Sequence, residues 1–167
     1  MTDRLYMAIA ANGVVATNQG ETPWGEASWD NFIRETNAAG NLIIGRRTYD
    51  VMESKHEFDL LDASVNIIVV TSTPLVDPKV VAVPSPQAAR EAAHGLGAKI
   101  ALWGGGPMLA TSALKAGLLD EIWLDVEPII IGNGRPLIAT DFISTLHLLS
   151  ANNYKDGVTL KYEVRHG

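Results

Sequence analysis

Short apolar runs rich in valine and isoleucine recur along the chain, and turn-forming residues separate them. This pattern constrains the fold most, because a continuous apolar run is typical of a strand that is buried on both faces. Six runs predict strands: Leu5–Ala11, Asn41–Gly45, Asn66–Thr71, Val80–Val83, Lys99–Gly104 and Glu121–Ile131. Two more, Leu146–Ala151 and Val158–Val164, predict a hairpin, since Asp156-Gly157 between them is a strong turn signal.

Helix-forming segments lie between these strands. We predict helices from a Ser28 cap to Ala38, from about Arg47, from Ser85 or Pro86, and from about Gly106 to Lys115 with a C-cap at Gly117. Because strands and helices alternate, the sequence predicts a single α/β domain over residues 1–167. We expect a three-layer αβα architecture, in which helices cover both faces of a mostly parallel sheet of about eight strands. The chain is expected to end in an antiparallel hairpin. Gly20–Gly25, which contains Pro23-Trp24, predicts a mobile loop.

The charge balance limits the partners. The formal net charge is −6, which argues against nucleic-acid binding because neutralising phosphates requires clustered lysine and arginine. We expect no membrane association, since no apolar segment approaches the roughly 18 residues that a spanning helix needs. The chain has no cysteine, which fits a cytoplasmic location, and its four histidines show no metal-binding spacing. A small-molecule substrate is therefore expected, and an anionic cofactor needs a local arrangement of charge and backbone N–H groups.

Three predicted strand ends carry groups that suit phosphate. Gly104-Gly105-Gly106 precedes a helix, whose free N–H groups and partial positive charge favour a pyrophosphate. Gly45-Arg46-Arg47-Thr48 follows another strand, and guanidinium matches a phosphate monoester bidentately. Thr71-Ser72-Thr73 presents three hydroxyls. Each segment alone is also consistent with a plain turn or a solvated helix start, and Thr71-Ser72-Thr73 alone favours a plain turn. Together they favour one extended phosphate-bearing ligand, because ligands of open α/β sheets bind at the carboxyl ends of strands.

The same segments, in order, resemble the dihydrofolate reductase pattern from about residue 5 to residue 128. The resemblance is carried by Ala8–Val15, Pro23-Trp24, Phe32 with Thr36, Gly45–Tyr49, Asn66–Ile68 with Thr71-Ser72, and Gly104–Gly106. Residues 117–137, which include Leu119-Asp120-Glu121 and Gly132-Asn133-Gly134-Arg135-Pro136-Leu137, instead resemble the reductase domain of bacterial riboflavin biosynthesis. Both families belong to one dihydrofolate reductase-like superfamily.

The resemblance implies NADPH as the cofactor and assigns its contacts. The adenosine end with its 2′-phosphate would lie on Arg46, Arg47, Thr48, Thr71 and Ser72, the pyrophosphate on Gly104, Gly105 and Gly106, and the nicotinamide carboxamide on backbone groups of Ala8 and Val15. Gly45, Thr73 and Trp103 are further candidates for cofactor contacts. Substrate-binding candidates are Trp24, Phe32, Trp123 and Ala8.

One expected catalytic group is missing. The resemblance requires an acid four residues before Phe32, where this chain has Ser28. We expect the carboxylate to have moved to Asp125, which shares a strand face with Trp123, and Ser28 to supply the accompanying hydroxyl. Beside Trp24, Phe32 and Trp123 such a carboxylate would be desolvated, and its pKa would rise. Alternatively, Asp125 merely pairs with a nearby base or caps a strand end.

The substrate remains open between several readings. The arginine that clamps the glutamate tail in folate reductases is absent from Glu53–Asp59. The first reading is reduction of dihydrofolate or a related dihydropterin. The second is reduction of a ribosylaminopyrimidine phosphate, for which Arg34 and Arg135 are the obvious phosphate ligands. The third is a non-catalytic nucleotide-binding protein. Either a monomer or a homodimer is expected.

Overall fold

The computed structural model describes residues 1–22 and 24–167, and it is built around a mixed eight-stranded sheet. The strands are β1 (Thr2–Ala10), β2 (Val14–Thr17), β3 (Asn41–Gly45), β4 (Asn66–Val70), β5 (Val80–Val83), β6 (Ile100–Trp103), β7 (Glu121–Glu127), β8 (Gly134–Pro136), β9 (Thr145–Tyr154) and β10 (Gly157–Arg165). The helices are α1 (Glu26–Ala39), α2 (Arg46–Ser54), α3 (Pro86–Gly95) and α4 (Pro107–Lys115), with a 3₁₀ turn at Glu57–Leu60.

The sheet order is β5-β4-β3-β6-β1-β7-β10-β9. All pairs from β5 to β7 are parallel, and β10 pairs antiparallel with both β7 and β9. The predicted α/β class, with a mostly parallel sheet of eight strands and a C-terminal antiparallel hairpin, is therefore confirmed. Strands β2 and β8 form a separate antiparallel pair, which the apolar runs did not predict.

Helices cover both faces of the sheet. One core lies on the α3 and α4 face and includes Leu5, Ile43 and Trp103. The other lies on the α1 and α2 face and includes Tyr6 and Phe32. Successive residues of a strand point to opposite faces, so Tyr6 belongs to the α1 face while its neighbour Leu5 belongs to the other. The candidate site lies on the α1 and α2 face and at the carboxyl ends of the parallel strands.

Several predicted boundaries need correction. The N-cap of α1 is Gly25, so Ser28 lies inside the helix. The predicted strand Glu121–Ile131 ends at Glu127, one residue before Pro128, whose nitrogen has no hydrogen to donate. The hairpin turn is Lys155-Asp156, with Lys155 at φ 44°, and Gly157 opens β10. The predicted Ser85 cap of α3 is confirmed, because its hydroxyl accepts from the Ala88 N–H.

The described part of the predicted mobile loop, residues 20–22 and 24–25, has neither helix nor strand, and Pro23 lies outside the described residues. None of the helices in the described residues is long and apolar enough to cross a membrane.

Candidate functional site

Two helices begin at glycines where the central strands end. Gly45 is the N-cap of α2 after β3, and Gly106 is the N-cap of α4 after β6. Among the described residues neither helix start receives a hydrogen bond from a capping side chain, whereas α3 at the sheet margin is capped by Ser85. The first-turn N–H groups of α2 and α4 are thus available to a ligand, and both helix dipoles favour an anion.

The glycine triplet after β6 packs closely against α2. A Cβ on Gly105 would lie 2.7 Å from Thr48 Cγ2, and one on Gly104 would lie 2.8 Å from Leu42 Cδ1. Gly105 and Gly106 also have positive φ, 132° and 81°. The sequence therefore needs glycine here for both conformation and space. The structure brings together the predicted residues Gly104, Gly105, Gly106 and Thr48.

The two predicted arginines diverge. Arg46 donates from Nη1 to Thr73 Oγ1 and to the Pro74 carbonyl, both at 3.1 Å, and from Nε to Asp50. Thr71 Oγ1 in turn contacts the Thr73 hydroxyl. Arg46 thus joins the ends of β3 and β4.

Arg47 is exposed and points elsewhere. Its Nη2 lies 3.9 Å from where a Cβ would stand on Gly20, in the loop before α1. Ser72 is also exposed, between the two bonded threonines. The predicted group is therefore spread along the edge of the sheet rather than gathered at one phosphate.

A gap opens beside β1 at the same edge. The ladder between β1 and β6 covers Thr2 to Leu5, while the ladder between β1 and β7 continues to Ala10. The predicted nicotinamide position at Ala8 lies in the stretch that is paired only toward β7. Ala8 is buried and Val15 is 4% exposed, so neither side chain is presented to solvent.

Trp103 requires a correction. Its side chain is wholly buried in the core on the α3 and α4 face, and its indole donates to Asp3 Oδ1 at 3.0 Å. Asp3 also accepts from Arg90 at 2.7 Å. Because side chains alternate along β6, Trp103 points to the face of the sheet that α3 and α4 cover. The expectation that its indole lines the predicted cofactor site is therefore wrong.

Asp125 lies at the centre of a buried hydrogen-bond network on the α1 face. It is 0% exposed, and its Oδ2 accepts from the Tyr6 hydroxyl and from Asn31 Nδ2 at 3.1 Å. Its Oδ1 accepts from the Thr159 hydroxyl at 2.6 Å. Three donors therefore satisfy the carboxylate, and both of its oxygens are already paired within the protein.

Two other residues supply the hydroxyl that was expected from Ser28. Ser28 donates to the Gly25 carbonyl at 3.1 Å, inside the first turn of α1. The hydroxyls that reach Asp125 belong to Tyr6 and Thr159. Sequence reasoning missed both. They lie on β1 and β10, the first and last strands along the chain, and only the order of strands in the sheet brings them together.

Sequence reasoning also missed Glu127. It lies two residues beyond Asp125 on the same face of β7 and is 8% exposed. Its Oε1 accepts from the Gly25 N–H at 3.3 Å, at the start of α1. The strand alternation that paired Trp123 with Asp125 extends to Glu127, so this signal was present in the sequence.

Aromatic side chains form a cluster over α1. Trp24 packs with centroid distances of 5.4 Å to both Trp29 and Phe32. Trp123 packs against the same core on the α1 face, with Arg4 and Lys161 over its ring at 3.5 and 3.6 Å. The structure therefore places the predicted substrate residues Trp24, Phe32 and Trp123 on one face of the sheet.

A cavity of about 200 Å³ opens between α1 and strands β7, β10 and β9. Its lining includes Tyr6, Asn31, Trp123, Tyr154, Thr159 and Lys161, with Arg34 and Glu35 from α1. Three of these residues are the donors to Asp125. Arg34, predicted as a phosphate ligand, thus lines this cavity, whereas Arg135 donates to the Asn18 carbonyl.

Tyrosine protonation is fixed by these surroundings. Burial and the hydrogen bond to Asp125 raise the pKa of Tyr6, so its hydroxyl keeps its proton at neutral pH. Burial and the charges of Asp125 and Glu127 raise the pKa of Tyr154. On α2, Tyr49 donates to Asp77 at 2.6 Å, which raises the pKa of Tyr49 to about 12 and lowers that of Asp77.

This geometry agrees with the comparison with known families. The sequence model of the RibD C-terminal domain matches residues 50–160 of the 167. The chain belongs to the RibD C-terminal domain family. This confirms the resemblance to the dihydrofolate reductase-like superfamily, and within it the comparisons favour the riboflavin branch over the dihydrofolate branch.

Solved structures show the same fold. A protein from Shewanella sp. PV-4, described as a riboflavin biosynthesis protein, has a TM-score of 0.79 at 20% identity, over 99% of this chain and 100% of its own. A pyrimidine reductase-like protein from Corynebacterium diphtheriae has a TM-score of 0.74 at 16% identity, over 99% and 92%. None of the curated proteins matches the chain.

A third similar structure is a bifunctional protein of Thermotoga maritima. It is a diaminohydroxyphosphoribosylaminopyrimidine deaminase/5-amino-6-(5-phosphoribosylamino)uracil reductase, with a TM-score of 0.75 at 11% identity. The alignment covers 98% of this chain and 56% of that one. Our chain thus spans about half the length of this relative.

Proposed function

We propose that the protein is an NADPH-dependent reductase whose substrate is a ribosylaminopyrimidine phosphate. Membership of the RibD C-terminal domain family supports the reductase class. The substrate follows the reductase activity printed for the Thermotoga protein, and the small polar cavity beside Asp125 suits a single ring. A reductase of this type is a riboflavin-biosynthesis enzyme.

The observation that carries the cofactor proposal is the contact between the two glycine-started helices. Thr48, in the first turn of α2, lies against Gly105, just before α4, so the N-terminal ends of the two helices are close together. Two neighbouring helix N-termini suit the two phosphates of a pyrophosphate. The hydroxyls of Thr71 and Thr73 with Arg46 then lie at the adenosine end, where arginine favours a 2′-phosphate over a free hydroxyl.

When bound, NADPH would supply the hydride for one carbon of the substrate, and solvent would supply the proton for the neighbouring atom. The protein's contribution is positioning and exclusion of water. Ala8, on β1, is paired directly with Asp125 in the sheet, so its backbone would hold the nicotinamide beside the Asp125 network. We assign Asp125 a positioning role, since its oxygens contact Tyr6, Asn31 and Thr159 rather than a free volume.

Dihydrofolate is the second candidate substrate. The contact between Trp24 and Phe32 favours it, because the resemblance assigns both positions to pterin binding. The lack of an arginine to clamp the glutamate tail of folate argues against it. The described region that would carry the clamp, residues 53–59, contains three acids and no arginine.

Steady-state kinetics decide between these substrates. The purified protein is mixed with NADPH and either 5-amino-6-(5-phosphoribosylamino)uracil or dihydrofolate, and the loss of nicotinamide absorbance is followed. We expect turnover with the pyrimidine and at least about a hundredfold lower kcat/KM with dihydrofolate. The reverse order would establish the second candidate. NADPH binding without turnover of either compound would favour a non-catalytic nucleotide-binding protein.

A further inference from the structure

The chain contains two Asn-Gly dipeptides, Asn12-Gly13 and Asn133-Gly134, and both asparagines are exposed. Asparagine is a thermolabile residue, and a following glycine has no side chain to hinder attack of its backbone nitrogen on the asparagine amide. For that attack the asparagine side chain must rotate toward the nitrogen, and both groups must leave their hydrogen bonds. The hydrogen bonds around each dipeptide therefore decide which of the two reacts.

Hydrogen bonds restrain Asn12-Gly13 in the turn after β1. Asn12 donates from Nδ2 to the Ile131 carbonyl at 2.7 Å, and its Oδ1 accepts from the Ile131 N–H at 3.4 Å. The Gly13 N–H donates to the Ala10 carbonyl at 2.9 Å. Both reacting groups of this dipeptide are thus engaged, although Asn12 is exposed.

The Asn133 side chain has no such restraint. It is exposed in the bend before β8 and makes no hydrogen bond to any residue in the described ranges 1–22 and 24–167. The ladder between β8 and β2 ends at Gly134, the residue after it. The register partner of Gly134 is Thr17, which donates its N–H to the Glu21 carbonyl and accepts from the Gly20 N–H. One reacting group is therefore unrestrained, and the other lies at a ladder end.

We propose that Asn133-Gly134 is a site of spontaneous isoaspartate formation. The Gly134 nitrogen forms a bond to Asn133 Cγ, its proton passes to the side-chain nitrogen, and that nitrogen departs as ammonia from the resulting succinimide. Water then opens the ring, giving isoaspartate by cleavage at the main-chain carbonyl carbon or aspartate by cleavage at Cγ. The two steps exchange ammonia for water, so they need no oxidant, reductant or enzyme. Both products carry a new negative charge, and isoaspartate also lengthens the backbone by a methylene.

The backbone at Gly134 has no room for this methylene. A Cβ on Gly134 would overlap the Ala16 carbonyl oxygen and stand 2.7 Å from Val14 Cγ1, so β8 lies tightly against β2. Isoaspartate immediately before Gly134 therefore displaces β8 from β2. Strand β2 carries Val15, the residue expected to bind the nicotinamide carboxamide, so the modification should also weaken cofactor binding. Only this last consequence rests on the proposed function.

Peptide mass spectrometry on the whole chain tests the site. The purified protein is incubated at physiological temperature and mildly alkaline pH, samples are digested at intervals, and the asparagine, aspartate and isoaspartate forms of each Asn-Gly peptide are quantified. We expect Asn133 to convert at least about tenfold faster than Asn12, because three hydrogen bonds restrain Asn12-Gly13. Unfolding the protein in urea should abolish this difference, since neither dipeptide then has tertiary restraints.

Two substitutions separate the causes of any structural effect. Asn133→Gln keeps an exposed amide but must form a less favourable six-membered ring, so this position should stay unconverted during the incubation. Asn133→Asp adds the negative charge without lengthening the backbone, so the fresh variant should match the fresh wild type. In incubated wild type, amide hydrogen exchange at Val14–Thr17 should accelerate as isoaspartate accumulates. The Kd for NADPH should rise at least about fivefold, the loss expected for one hydrogen bond.

The site is overturned if Asn12 and Asn133 convert at equal rates in the folded protein, or if Asn133 stays intact while the unfolded chain converts. Unchanged amide exchange in isoaspartate-containing protein would overturn the displacement of β8. NADPH affinity is measured before and after incubation. Fresh protein that does not bind NADPH would contradict the proposed function and leave the modification site standing. Fresh protein that binds NADPH and keeps Asn133 intact would do the opposite.

Discussion

Adding one methyl group at Gly105 should damage both the stability and the cofactor affinity of this protein. In Gly105→Ala the new Cβ would stand 2.7 Å from Thr48 Cγ2, so the two groups must separate by about 0.7 Å to reach ordinary van der Waals contact. The backbone at φ 132° is also strained for any residue but glycine. Strain of this kind costs about 1–3 kcal/mol and overpacking about 1–3 kcal/mol, so we expect a loss of about 2–6 kcal/mol.

Chemical denaturation measures this loss, and fluorescence titration measures NADPH binding. We expect the Kd for NADPH to rise at least about tenfold, because the displaced loop no longer presents its N–H groups to the pyrophosphate. Gly95→Ala is the matched control, since none of the described atoms lies within 4 Å of its added Cβ and its φ is not positive.

A second substitution separates the steric and conformational parts. Thr48→Ser removes Cγ2 and leaves Oγ1, which lies 3.1 Å from the added Cβ. In the Gly105→Ala background it should restore about 1 kcal/mol of the lost free energy of unfolding, while the strain at positive φ remains. The reasoning would be refuted if Gly105→Ala matched Gly95→Ala in both stability and NADPH affinity.

Three further substitutions test the rest of the site. Asp125→Asn should lower kcat by about a hundredfold or more while the pyrimidine KM rises too, because the amide no longer fixes the proton directions of its neighbours; unchanged steady-state constants would contradict this. Arg46→Gln should weaken NADPH at least about tenfold and leave NADH unchanged, which titration with both cofactors checks; equal losses would remove Arg46 from the 2′-phosphate site. Tyr49→Phe should lose about 1–2 kcal/mol at neutral pH. Because folding raises the pKa of Tyr49 from 10.0 to about 12, its extra stability is fully present below pH 10 and lost as pH rises toward 12, and denaturation at several pH values should show the two proteins converging.

The parallel sheet and its edge were predictable from local patterns. A valine- and isoleucine-rich run such as Asn41–Gly45 specifies a buried strand, and its bounds agree with β3. Two helix starts were predicted from glycines, one from Gly104-Gly105-Gly106 and one from Gly45. These helix starts lie close together, where Gly105 packs against Thr48. These signals are local in sequence, which is why they could be found without the fold.

The Asp125 network could not be predicted in the same way, because it depends on the order of strands in the sheet, and no local sequence pattern specifies that order. Tyr6 and Thr159 stand 153 residues apart in sequence and meet because β7 lies between β1 and β10. Ser28 was assigned to this carboxylate by analogy with another site. The structure instead bonds Ser28 within its own helix turn, at Gly25.

The assignment of Trp103 failed for another local reason. Its position beside the glycine triplet suggested a cofactor contact, but strand alternation decides the direction of the side chain. Its indole pairs with Asp3 in the core on the far side of the sheet. Alternation along β6 directs the Trp103 side chain to the face of the sheet opposite to the one that Gly104 faces.

Hydride transfer itself is the most direct test of the central claim. The protein is incubated with 5-amino-6-(5-phosphoribosylamino)uracil and NADPH that carries deuterium at the transferred position of nicotinamide C4, and the product is analysed by mass spectrometry. We predict one deuterium in the reduced pyrimidine, with one NADPH consumed for each product formed. NADPH that stays unconsumed in the presence of this substrate, or a product without deuterium, would contradict the account.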